Sequence, residues 1–210
     1  MIEFWNIIQN YFNTNWLEAI AAVLGIASVW FARRENILVF PTGIVSVVIY
    51  IYICFVARLY ADAGIQVFYT AMSVYGWYNW TRKTGDSGSL AISVNSRRQQ
   101  IAGIAATFVL YWLILGIIWL FNQDDIVYMH SYVPWVDSFT TSVFLIGMLL
   151  MARKKLENWI YWIVGNVVSI PLYFIKGLAF TSFQYIIFLI LAVLALIEWR
   201  RRWIESQKIC

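Results

Sequence analysis

Residues 151–166 read MARKKLENWIYWIVGN, and the order of charge and hydrocarbon in them decides the fold. Three cations, Arg153, Lys154 and Lys155, stand directly before an apolar run that opens at Trp159. A basic cluster abutting an apolar run of spanning length marks a transmembrane helix end on the side where positive charge collects. An earlier stretch, Ala32-Arg33-Arg34-Glu35-Asn36, resembles Met151 to Asn158 and also stands before an apolar run.

Outward from that stretch, runs approaching the ~20 apolar residues that cross a bilayer occur seven times. They are Trp16 to Phe31, Ile37 to Val56, Tyr60 to Trp80, Ile101 to Phe121, Ser138 to Met151, Trp159 to Phe174 and Phe180 to Trp199. Of the 210 residues, 62% are apolar and 12% charged, with a mean hydropathy of +0.70. A soluble domain of this length cannot hide so many apolar side chains, so the class is an all-α integral membrane protein. The expected layout is an interfacial amphipathic segment at 1–15 and a first three-helix repeat at 16–80. A linker at 81–100 follows, polar, Gly/Ser-containing and read as a plain tether. A central linker helix at 101–121, a second three-helix repeat at 136–203 and a tail at 204–210 complete it.

The cations sort by loop. The loops between spans 1 and 2, 3 and 4, and 5 and 6, together with the C-terminus, hold thirteen Lys and Arg; the other side holds only Arg58 and Lys176. The positive-inside rule then puts the C-terminus in the cytoplasm and the N-terminus outside. The net charge of +4 is thus a topology signal, and no nucleic-acid partner is expected. The first cation is Arg33, so the charged start of a secretory signal is missing and none is expected. Cys54 and Cys210 give no disulfide framework. His130, near Asp124 and Asp125, has too few companions for a metal site.

Laid over each other, the first and last three spans share an order of features. Ser46 and Tyr50 fall over Ser169 and Tyr173, and Pro41 and Pro171 lie in matching spans. Both repeats start outside, so they run parallel, and the fourth span makes that possible: a 3+1+3 pattern. Parallel repeats of this kind are a transporter architecture, with cargo bound near mid-depth between them.

Three amides fall at that depth. At 1.5 Å per residue, Asn166 lies about 14 Å in from Glu157 and Gln66 about 12 Å in from Arg58, near half of a ~30 Å core. Gln184, after Lys176, reaches a similar level. An unsatisfied amide in hydrocarbon is costly, so these face the bundle interior. Trp159 and Trp162 share a helix face with Asn166 and offer walls for a flat cation, at roughly 0.5–2 kcal/mol per contact. Each residue alone has a plainer reading. Trp159 fits an interfacial belt as readily, and each amide fits interhelical glue. Asp62 reads as an interfacial carboxylate or a lure for cations, and Glu198 as a partner of the neighbouring arginines. Proline kinks would free carbonyls near the site. There is no phosphate-binding Gly-rich loop, no HExxH, no nucleophile elbow and no paired intramembrane carboxylate. That set favours passive transport over enzymatic or pump chemistry, without a cofactor.

The stretches ENWIYWIVGN, SIPLYFIKGLAFTSFQYIIF, and LYADAGIQVFY running into SVYGWYNWTR resemble the Pnu family of bacterial vitamin transporters. The resemblance covers the chain from about residue 16. It implies a SWEET-like bundle of seven helices, a homotrimer, an inner-membrane location and facilitated diffusion of a small vitamin lacking phosphate. A cytoplasmic kinase then traps the cargo. It also implies that Trp159, Trp162, Asn166 and Gln66 line the pocket. The PnuC branch takes nicotinamide riboside and the PnuT branch takes thiamine. Riboside carriers often have further asparagines where this chain has Ile44 and Leu194. An apolar pocket deprives a ribose of partners, so thiamine is the expected cargo, with nicotinamide riboside as the alternative. A SWEET-type sugar carrier or a membrane scaffold are the remaining readings.

Overall fold

A computed structural model describes residues 16–56, 60–82, 90–121, 126–177 and 179–208. Seven long helices run through them: α1 Trp16–Arg33, α2 Val39–Val56, α3 Tyr60–Thr81, α4 Arg97–Phe121, α5 Val133–Ala152, α6 Asn158–Ile175 and α7 Ala179–Gln207. A single helical turn, Ile126–Met129, precedes α5. No strand occurs among the described residues; Ser93 and Lys155 form an isolated parallel bridge. Six of the helices, all but α3, are long and apolar enough to cross a membrane. α3 is rich in Tyr, Thr and amide side chains. The chain is an all-helical integral membrane protein. Residues 1–15, Arg58, Asp124, Asp125 and the side chain of Asp62 lie outside the described residues.

Where helix ends differ from the expected spans, local chemistry explains it. α4 starts at Arg97 rather than Ile101 because Ser96 and Gln99 cap it reciprocally. The Gln99 N–H donates to Ser96 Oγ at 3.3 Å and the Ser96 N–H to Gln99 Oε1 at 2.9 Å, a capping box. α5 starts at Val133, with Pro134 in its first turn, where a missing N–H loses no helical bond. α7 runs past Trp199 to Gln207, laced by Arg202–Glu198 and Arg201–Glu205 pairs. Pro41 does not kink α2. It is the third residue of that helix, where no intrahelical bond is lost. Pro171 lies inside α6.

The chain divides into two compact units, Met1–Tyr78 and Asn79–Cys210. In the first, α1 packs on α2. Ser46 Oγ donates to the Ala21 carbonyl and Ser28 Oγ to that of Val39, each at 2.7 Å. In the second, α4 packs on α5, α5 on α6 and α6 on α7. α5 is the most buried helix and α4 nearly bare, exposing Ile104, Phe108, Leu113 and Leu120. Such a surface is stable against hydrocarbon and not against water.

The two basic turns share one conformation. Asn36 N–H bonds the Phe31 carbonyl at 2.9 Å, and Lys155 N–H bonds that of Leu150 at 2.9 Å. Glu35 and Lys154, 119 positions apart, both take positive φ, 56° and 54°. Carried into the helices, that spacing sets Ser46 against Gly165 and not Ser169.

Residues 90–96 are not a plain tether. The Ser93 N–H donates to the Lys154 carbonyl at 3.1 Å and the Leu156 N–H to the Ser93 carbonyl at 2.9 Å. Both stretches lie outside helix, so their backbone N–H and C=O groups are free to pair with each other.

Candidate functional site

The site is built along one face of α6. At 3.6 residues per turn, positions 159, 162, 166 and 169 fall within an arc of about 80°. Trp159 and Asn166 are each 1% exposed and Ser169 is fully buried; Trp162 is half-buried. Trp159 is therefore an interior residue, not an interfacial belt. The indole N–H groups of Trp159 and Trp162, Oδ1 of Asn166 and Oγ of Ser169 are all buried and without a hydrogen-bond partner among the described residues. The other buried helical hydroxyls of this unit do have one. Ser138 donates to the Pro134 carbonyl at 2.7 Å, Ser142 to Phe139 at 2.8 Å and Ser182 to Ile170 at 2.8 Å. A buried polar group left unpaired costs about 1–3 kcal/mol. Four on one face is a concentration that packing alone does not explain. The column offers two donors, an acceptor and a hydroxyl that does both. It carries no charge.

Neighbouring helices hold the column in place. Phe144 of α5 lies 5.2 Å from Trp162, tilted by 31°. From Phe144 a file of rings continues through Tyr185, at 6.1 Å and 16°, to Tyr173, at 5.0 Å and 15°. It ends where Lys176 Nζ stands 5.2 Å from the Tyr173 ring and 2.8 Å from Oδ2 of Asp137. Toward the other end, Trp159 meets Trp199 of α7 edge-on, at 5.4 Å and 89°. Gly147 of α5 lets α6 approach closely: a Cβ there would lie 3.2 Å from the Cβ of Tyr161 and in ordinary contact with the Trp162 indole.

The remaining expected residues sit differently. Gln184 is half-buried on α7 and its amide makes no hydrogen bond among the described residues. Gln66 belongs to the first unit, half-buried on α3, where its carbonyl accepts from Thr70 Oγ1 at 3.0 Å. Ile44, also in the first unit, is half-buried. Leu194 is 39% exposed on α7, so its apolar side chain does not line the buried column, contrary to expectation. Glu198 pairs with Arg202 as expected. Sequence reasoning missed Ser169 and Phe144. Ser169 continues the i, i+3, i+7 stripe to i+10, which was a usable signal; Phe144 comes from another helix and had none. Among the described residues no group of three His, Cys, Asp or Glu is placed to hold a metal ion. An apolar groove of about 470 Å³ beside α4 is lined by Trp112, Trp119, Met129 and Trp135 and lacks such a column.

A family model described as nicotinamide mononucleotide transporter matches residues 15–201. The nicotinamide riboside transporter PnuC of Escherichia coli (strain K12) is 26% identical, over 94% of this chain and 88% of that protein. The riboflavin/roseoflavin transporter RibM of Streptomyces davaonensis is 26% identical, over 92% of this chain and 87% of that protein. A crystal structure of the vitamin B3 transporter PnuC shares the fold, with a TM-score of 0.68 and 24% identity over 95% of this chain and 88% of that one.

Proposed function

This chain belongs to the nicotinamide mononucleotide transporter family, and on that premise we propose that it carries an unphosphorylated vitamin across the membrane, nicotinamide riboside before thiamine. The observation that carries the reading is the neutral column of Trp159, Trp162, Asn166 and Ser169, whose buried polar atoms have no partner among the described residues. A riboside supplies a flat cationic ring for the indoles and hydroxyls for Asn166 and Ser169. The case for thiamine rested on a pocket too apolar for a ribose. That case weakens with Leu194 at the surface and Ser169 in the column. Two relatives named for nicotinamide riboside and riboflavin point the same way. A phosphate is disfavoured, because burying its charge without a cationic partner is costly and the column holds none.

In this reading α3 spans as well, giving seven spans in a 3+1+3 parallel repeat, supported by the matched turns at Glu35 and Lys154. The thirteen-to-two split of cations puts the C-terminus and the basic turns in the cytoplasm and the N-terminus outside. Gln184 joins the column from α7. Transport is facilitated diffusion with trapping by a cytoplasmic kinase, and the assembly is a homotrimer. The test is a tryptophan-fluorescence titration of the purified protein with nicotinamide riboside, its 5′-phosphate, thiamine and riboflavin. Saturable quenching by the riboside at the lowest concentration is expected. Tighter binding of thiamine or of the phosphate overturns the assignment.

A further inference from the structure

A second set of contacts gathers at the basic end of α6. Five polar ties hold residues 90–96 against the turn at 154–157. Besides the two backbone bonds of the Ser93–Lys155 bridge, the Asn95 N–H donates to Glu157 Oε1 at 2.7 Å. Lys154 Nζ donates to the Leu90 carbonyl at 2.8 Å and Lys155 Nζ to that of Val94 at 3.4 Å. Lys154, only 5% exposed, also stands 4.8 Å over the ring of Trp80. Trp80 is fixed in turn, its Nε1 donating to the Met151 carbonyl at 3.1 Å while Asn79 Nδ2 donates to that of Ala152 at 3.0 Å. Trp80 packs on Trp199 at 5.9 Å, and Trp199 on Trp159, the first residue of the candidate site. A continuous physical chain therefore runs from strap to Lys154, Trp80, Trp199 and Trp159.

Two features distinguish this from permanent packing. Trp80, Trp159 and Trp199 are at most 4% exposed, so this end of the unit is closed by aromatic bulk. What clamps that bulk is this set of five hydrogen bonds, three of them charged on one side, and bonds of this kind break and re-form. Glu157 is also only half used: Oε1 takes the Asn95 N–H while Oε2 is buried with no partner among the described residues. An unpaired buried carboxylate oxygen makes the closed arrangement less stable than full pairing would, which suits a contact that must release.

We propose that residues 90–96 are a latch on the cytoplasmic gate of the transporter. The strap seated on 154–157 holds the Trp80–Trp199–Trp159 cluster shut beneath the cargo, and release to the cytoplasm requires it to lift. The proposal rests on the transport reading and the orientation given above.

Ser93→Cys with Lys155→Cys, in a background with Cys54→Ser and Cys210→Ser, puts two thiols at bridge-paired positions, a separation within disulfide reach. Uptake of labelled nicotinamide riboside is measured in proteoliposomes before oxidation, after it, and after reduction, with binding titrated in parallel. At least a tenfold loss of uptake on oxidation, full recovery on reduction and retained binding is the expected result. Because the same molecules are compared, misfolding cannot mimic that recovery. Uptake at full rate in the cross-linked protein overturns the latch while leaving the transport reading standing. Absence of uptake and of binding before oxidation overturns the transport reading, and the latch with it.

Discussion

Phe144 packs directly over the Cα of Gly165, so closely that a methyl group there would overlap its ring. The ring is held between Trp162 and Tyr185 because α6 carries no side chain at that point. Gly165→Ala gains helix propensity but forces the ring off its site, and overpacking of this kind costs about 1–3 kcal/mol. The double variant Gly165→Ala, Phe144→Leu should recover most of the lost thermal stability in detergent, and its cargo affinity should remain reduced.

Hydroxyls and amides used as glue should separate from those held for cargo. Ser46 bonds the Ala21 carbonyl across α1 and α2, so Ser46→Ala should lower stability by about 1 kcal/mol and leave affinity unchanged. Ser169 and Asn166 have no partner for Oγ and Oδ1 among the described residues. Ser169→Ala and Asn166→Leu should leave melting temperature unchanged or raised, and weaken nicotinamide riboside binding about tenfold or more. Paired melting curves and titrations check both halves; a stability loss in Asn166→Leu would return that residue to the glue class.

The Asp137–Lys176 pair joins α5 to the end of α6, with side chains 23% and 25% exposed. At that partial burial its worth should exceed the 0–1 kcal/mol of a surface pair and stay below the 3–5 kcal/mol of a buried pair broken on one side. Asp137→Asn and Lys176→Gln are each expected to destabilise by about 1–2 kcal/mol, and the double variant by less than their sum. A double-mutant cycle on thermal stability reads the coupling directly, and a strictly additive cycle would show that the pair contributes nothing.

If Trp162 is a wall for a flat cation, Trp162→Leu removes a contact worth about 0.5–2 kcal/mol, or about 2- to 30-fold in affinity. The loss should be larger for the cationic riboside than for an uncharged riboside of similar shape. Equal loss for both would assign the contact to shape alone.

The membrane class, the helices and the α6 face were legible because hydrocarbon forces periodicity and charge into separate stretches. The basic run at 153–155 and the stripe at 159, 162 and 166 each appear unbroken in the chain. What stayed hidden depends on partners distant in sequence. Phe144 meets Trp162 across helices, and nothing local marks it. Leu194 was misplaced because a level along a helix does not say which way a side chain faces. Residues 90–96 read as a tether because an isolated bridge has no periodic signature. The start of α4 was readable in Ser96-Arg97-Arg98-Gln99, a capping box overlooked beside the stronger apolar signal that begins at Ile101.

Lys154 holds a left-handed backbone, φ 54°, that glycine adopts without penalty and a lysine only at a cost of roughly 1–2 kcal/mol. K154G relieves that strain but removes the ammonium that reaches Leu90 and Trp80, and a hydrogen bond to a charged group contributes about 1.5–3 kcal/mol, so K154G should melt no higher than the parent. The lysine at this turn thus accepts backbone strain in exchange for a tether on the strap, and its loss would loosen the closed cytoplasmic side.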